Sequence, residues 1–323
     1  MTRSPFARFA WANLAFNLLV ILWGAYVRAS GSGAGCGEHW PLCDGQVIPR
    51  APAVEQLVEF THRLTSGLAL LGVVALALWA FRSYERGHLV RRGAIASLAF
   101  MIVEALIGAG LVLLGLVATN ISVARAVVIA LHLANTFFLL AALTLTAWWA
   151  SGGRPLALRG HGRLQLLLGL SLAGTLVVGS SGAITALGDT LLQLGALPGG
   201  VSQPITTESH PLVQMRVLHP VIATLVGLLT LFLARAVVAQ RPEPEARRLA
   251  WGLVGLFFAQ LLLGGLNVTL KAPIWMQLVH LLMADLVWIC LVLLSAVALA
   301  AHATISQPAL ASAPRGAALS GEL

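Results

Sequence analysis

The chain has 323 residues, 58% of them hydrophobic and only 10% charged, with a formal net charge of +8. Soluble globular chains carry about 25% charged residues, so this composition, with a mean hydropathy of +0.88, excludes an ordinary soluble domain. In a membrane protein the positive balance marks basic loops rather than nucleic-acid binding, and the chain has no Walker loop, zinc-finger spacing or dinucleotide fingerprint.

Eight apolar segments are predicted near 9–29, 54–81, 93–117, 122–149, 163–183, 210–238, 248–270 and 273–301. Each is long enough for a hydrocarbon core that needs about 20 residues. Segment 1 reads as a retained span rather than a cleaved leader, because no small-residue cleavage site follows it. Fourteen basic residues lie before segment 1, around the 2–3, 4–5 and 6–7 connections, or in the tail, and six lie at the opposite face. Both termini are therefore expected in the cytoplasm, with the chain multi-pass in a bacterial inner membrane.

The first outer loop, about 30–53, contains Cys36-Gly-Glu-His-Trp-Pro-Leu-Cys43. On an oxidising outer face the two cysteines can form a disulfide, either as a loop staple or with a redox role. With only His39 beside them they make an incomplete metal set. The stretch 183–210 is predicted as a second long outer loop, and the tail after His302 as disordered. Cys290 falls mid-segment and reads as a packing residue.

The two halves echo one another. Glu104-Ala-Leu-Ile-Gly in segment 3 matches Gln260-Leu-Leu-Leu-Gly in segment 7, segment 2 around His62 matches segment 6 around His219, and His132 in segment 4 matches His280 in segment 8. An even number of spans separates the copies. The predicted fold is therefore all-α and integral to the membrane: eight transmembrane helices in two tandem four-helix bundles, related by a pseudo-two-fold axis along the membrane normal. The corresponding units are 1–150, 151–302 and a tail of 303–323.

Of nine histidines, His88, His161 and His302 read as solvated, and His39 and His210 as loop or helix-mouth residues. His62, His132, His219 and His280 all lie on even-numbered segments, about 10–15 Å past the outer end at 1.5 Å per residue. Two matched imidazole pairs, without thiolates or clustered carboxylates, suit heme iron better than zinc or a di-iron centre. Arg28, Arg63, Arg125, Arg216 and Lys271 stand at the outer ends of their segments, where they can meet heme propionates or simply snorkel. The halves differ at one place: Glu59 lies one turn before His62, whereas Arg216 lies one turn before His219. A carboxylate there can move protons or can pair with Arg63 at i+4.

Gly24-Ala-Tyr-Val-Arg28-Ala-Ser30-Gly31, then Cys36…Trp40-Pro41-Leu42-Cys43, then Glu59-Phe-Thr-His62-Arg63 together resemble heme A synthase, in its bacterial form with one cysteine pair in the first outer loop. The likeness extends over essentially the whole chain. It implies oxidation of the C8 methyl group of heme O to a formyl group through hydroxylated intermediates. It places the substrate between His62 and His132 with Glu59 as the catalytic carboxylate, and a heme b cofactor between His219 and His280. It implies that the Cys36–Cys43 pair assists heme handling or electron supply, and that heme O synthase and cytochrome oxidase assembly proteins are partners. A homo-oligomer is compatible with it. A di-heme membrane cytochrome for quinol-linked electron transfer, or a heme carrier or exporter, would use the same four histidines.

Overall fold

The computed structural model describes residues 4–157, 162–199, 205–206, 208–241 and 243–300. His161, His302 and the predicted tail 303–323 lie outside the described residues. Eight helices follow one another: α1 Pro5–Ala29, α2 Val54–Ser83, α3 Leu89–Leu113, α4 Val123–Ala150, α5 Gly162–Gln193, α6 Pro211–Gln240, α7 Pro244–Thr269 and α8 Ile274–Ala298. All eight are long and apolar enough to cross a membrane.

Their starts are written locally. Proline, which needs no helical N–H at the first turn, opens α1, α6 and α7. Ser4 and Ser122 accept the backbone N–H of Ala7 and Arg125. His88 and His210 do the same for Val90 and Leu212 through Nδ1, so these two histidines are helix caps. Inside the helices, Ser97, Thr146, Thr175, Thr230 and Ser295 each donate to the carbonyl four residues back. These five hydroxyls therefore enter apolar helices with their donors met.

One face of α2 carries Leu57, Leu64, Leu68, Leu71 and Leu78 outward, while Ala69, Val73, Leu76, Ala77 and Ala80 are buried. Small buried residues let helices approach closely, and the exposed leucines suit lipid. Each of α1, α2 and α3 packs on the next helix in order up to α4, and α1 closes on α4; α5 to α8 repeat this, with α5 closing on α8. The two rings meet through α1, α4, α5 and α8. There Trp288 stacks on Phe137 with ring centroids 5.0 Å apart and donates its indole N–H to the Phe137 carbonyl at 2.6 Å. Arg28 of α1 also crosses the seam, donating to Ala186 O at 2.7 Å, Thr190 Oγ1 at 2.7 Å and Gln277 Oε1 at 3.0 Å.

The second predicted loop is shorter than expected, because α5 continues ten residues past position 183 to Gln193. Leu187, Leu191 and Leu192 bury against Leu212 and Val213 of α6, and that contact outweighs the glycine and aspartate that mark a loop in the sequence.

Candidate functional site

A single cavity of about 1580 Å³ runs through both halves, and His62, His132, His219 and His280 all line it. Each lies roughly two turns inside its even-numbered helix. Each ring rests against a glycine of the preceding odd-numbered helix. A Cβ would stand 2.8 Å from the His62 ring at Gly24, 3.0 Å from His219 at Gly182, 3.1 Å from His280 at Gly264 and 3.8 Å from His132 at Gly108. These contacts repeat from α1·α2 and α3·α4 to α5·α6 and α7·α8. His62 lies within electrostatic reach of His132, and His280 of His219. Among the described residues no group of three or more His, Cys, Asp or Glu is arranged around a bare metal ion. The donor set is two imidazoles per half, so a metal held there brings its remaining ligands with it.

Glu59 is buried at the cavity wall, and both its oxygens are engaged. Oε2 accepts the backbone N–H of Cys36 at 2.8 Å, and Oε1 pairs with Arg63. Arg63 also donates to the carbonyls of His39 and Leu42. The turn of helix that carries His62 thus grips the loop closed by the Cys36–Cys43 disulfide. Trp40 and Pro41 of that loop, and Val47 and Ile48 just after it, line the same cavity.

At the matching place in the second half, Arg216 Nε pairs with Asp189 Oδ1 at 3.0 Å. Asp189 lies on the unpredicted extension of α5. Arg28 and Arg125 line the cavity too, Arg125 with Nη1 on the carbonyls of Ala118 at 2.6 Å and Asn120 at 2.9 Å. Lys271 is exposed in the α7–α8 turn and is not among the lining residues.

The sequence profile described as cytochrome oxidase assembly protein, COX15-CtaA, matches residues 7–292. The chain belongs to the COX15-CtaA family. A Bacillus mycoides relative named heme A synthase is 30% identical over 267 residues, 81% of this chain and 83% of the relative. An Exiguobacterium relative of the same name is 34% identical over 216 residues, 67% of each chain. A Thermus thermophilus relative named protoheme IX farnesyltransferase is 57% identical over 296 residues, 92% of this chain and 49% of that protein. The chain therefore spans about half the length of that relative.

In this COX15-CtaA chain the histidines also meet residues that the histidine pattern does not point to. Glu104 of α3 lies 3.4 Å from His132 Nε2 and is held by Asn135 Nδ2 at 2.6 Å and Thr136 Oγ1 at 2.5 Å. Gln260 of α7, its repeat mate, lies 3.2 Å from His280 Nε2. Ser181 of α5 lies 2.9 Å from His219 Nδ1. An acid inside an apolar segment was the available signal for Glu104; Ser181 carries none. Asp285 of α8 is fully buried, with neither oxygen hydrogen-bonded to a described residue. Cys290 is half-buried between α8 and α7, with Sγ 3.6 Å from Leu249 O.

Proposed function

We propose that this chain is a heme A synthase of a bacterial cell membrane, oxidising the C8 methyl group of heme O to a formyl group. The observation that carries the reading is the doubled histidine pair in one cavity with unlike surroundings in the two halves. The residues fit a heme. Gly24, Gly108, Gly182 and Gly264 leave room beside each ring. The volume of about 1580 Å³ exceeds the ~300–1,000 Å³ of common ligand pockets. Arg28, Arg63, Arg125 and Arg216 offer cations for anionic heme edges along the lining.

In this reading 1–150 forms the substrate unit, with heme O held by His62 and His132. The unit 151–302 holds heme b by His219 and His280. Bound heme supplies redox-active iron, and in the first unit also the methyl group to be oxidised. The change from methyl to formyl removes four electrons and adds one oxygen atom, so it draws on an external oxidant, dioxygen or an electron acceptor with water as the oxygen source; a gem-diol formed on the way loses water to give the aldehyde. Glu59 is the carboxylate that can take or give a proton at the cavity wall, with Arg63 fixing its orientation. The disulfide loop, tied to the same pair, closes the cavity over the substrate. The basic connections support cytoplasmic termini.

Prenyl transfer, the activity in the name of the Thermus relative, finds little support in this chain. Transfer from a diphosphate relies on clustered carboxylates around a divalent cation, whereas the three aspartates, Asp44, Asp189 and Asp285, are far apart. That name instead fits the half of the Thermus protein that this chain does not cover, and it points to a heme O-forming prenyltransferase as the supplier of substrate. Cytochrome oxidase assembly, the family's description, receives the product. The test is to co-express the chain with a heme O synthase, extract the hemes and separate them by chromatography. Hydroxymethyl or formyl heme is expected, and recovery of heme b and heme O alone would overturn the proposal.

A further inference from the structure

The halves differ in how far the cavity reaches toward lipid. Gly67 of α2 and Thr224 of α6 are repeat mates, each one turn and a half past its histidine, and both are exposed and line the cavity. Beyond them the halves part. On α2 the lining continues over Leu68, Leu70 and Leu71 and takes in Leu64. Leu64, Leu68 and Leu71 belong to the exposed face of the helix. Their mates on α6, Val221, Leu225 and Leu228, are also exposed but do not line the cavity. The N-terminal cavity therefore opens sideways from Leu64 to Leu71, along about 10 Å of helix at 1.5 Å per residue.

One pair of positions between neighbouring helices accounts for the difference. Gly227 of α6 faces α7, where a Cβ would stand 3.0 Å from the Phe257 ring and 3.6 Å from Leu261. Phe257 is buried. Its ring fills the groove that the glycine leaves and shuts the α6–α7 seam inward of the histidines. The repeat mates of Gly227 and Phe257 are Leu70 and Met101. A branched side chain thus stands where the glycine admits a ring, an unbranched one stands in place of the ring, and both line the cavity. Beside them Gly67 borders open space, because a Cβ there would meet no atom within 4 Å.

A hydrocarbon chain in this slot exchanges lipid for leucine, which is about as apolar. The slot therefore contributes room rather than affinity. A macrocycle can sit inside the cavity while a long apolar substituent lies among leucine and lipid, without the cavity having to enclose it. In the C-terminal half the same substituent would have to displace the packed Phe257 ring, and overpacking a fitted site is costly. Discrimination of this kind works by exclusion.

We propose that the α2–α3 slot around Gly67 seats the isoprenoid chain of the substrate heme and admits that substrate sideways from the bilayer, while the Phe257–Gly227 seam keeps tailed hemes out of the C-terminal site. The inference rests on the heme reading above and deepens it. The two sites share their histidine pattern, so the substrate is selected by room for its tail.

The test uses the full chain, co-expressed with a heme O synthase and purified, with the bound hemes extracted and separated by chromatography. Gly67→Phe fills the slot from a position with space around it. It should lower the farnesylated hemes by about 10-fold or more, the scale of overpacking a fitted site, while heme b and its absorption spectrum persist as the fold control. Gly67→Ala should leave both hemes at the unaltered level. Gly227→Leu with Phe257→Met copies the N-terminal pair. Placed in a His62→Ala background, it should bring farnesylated heme into the C-terminal site, a gain that a blocked macrocycle would not produce. Unchanged farnesylated heme in Gly67→Phe leaves the slot to bilayer lipid and overturns the proposal. Heme b alone in the copied pair overturns the role given to Phe257 and Gly227. An unaltered protein that carries no farnesylated heme overturns the heme O reading itself.

Discussion

The two halves of the molecule share a scaffold and differ in the polar groups set against it. In both, a histidine on each even-numbered helix rests on a glycine of its odd-numbered neighbour. In the N-terminal half, acids face the histidine turns: Glu59 one turn before His62, and Glu104 against His132. In the C-terminal half the same places hold Arg216 and Gln260, and the acid of the ion pair, Asp189, comes from α5 instead. Helix packing repeats because small residues and apolar length repeat. The polar neighbours of the histidines do not repeat, because a few substitutions change them and leave the packing unchanged.

The comparison can be broken most severely at the ligands. His280→Ala should abolish the heme b spectrum of the C-terminal half and stop product formation, while heme O still binds on the other side; absorption spectra and extracted hemes check both. Glu59→Ala should leave both hemes bound but reduce product by about 10²–10⁴-fold, the usual range for a general acid or base. Normal product would leave Glu59 as the ion-pair and loop-anchoring residue alone. Ser181→Ala strands His219 Nδ1 and should cost about 1–3 kcal/mol, read as weaker heme b retention, with heme O binding unchanged. The smallest contrast lies between glycines. Gly24→Ala forces the His62 ring to move and should lower N-terminal heme occupancy, whereas Gly108→Ala, at 3.8 Å from the His132 ring, should be nearly silent.

Much of this was legible in the sequence. Apolar length predicts eight spans, and eight helices long and apolar enough to cross a membrane are present among the described residues. The matching depths of His62, His132, His219 and His280 predict one pair in each half; the fold places all four along one continuous cavity, and their ligand roles remain the proposal above. The Cys36–Cys43 bridge is present as expected. Other features depend on contacts that local pattern does not carry. The end of α5 is set by burial of Leu187 and Leu191 against α6, not by its own glycine. Arg28 reads as an interfacial cation, but its guanidinium is engaged across the seam between halves. Glu104 was visible as half of a repeat with Gln260, and only the fold shows that both face a histidine nitrogen. Ser181 is one of many helical serines until α6 is laid against it.

The central claim is that the chemistry belongs to the N-terminal half and that the C-terminal half carries a resident cofactor. The most direct measurement is the identity of the heme left in the protein when each half is disabled, after co-expression with a heme O synthase. His219→Ala should retain heme O or its oxidised derivatives, and His62→Ala should retain heme b alone. Heme b retained by His219→Ala, or the farnesylated hemes retained by His62→Ala, would contradict the assignment.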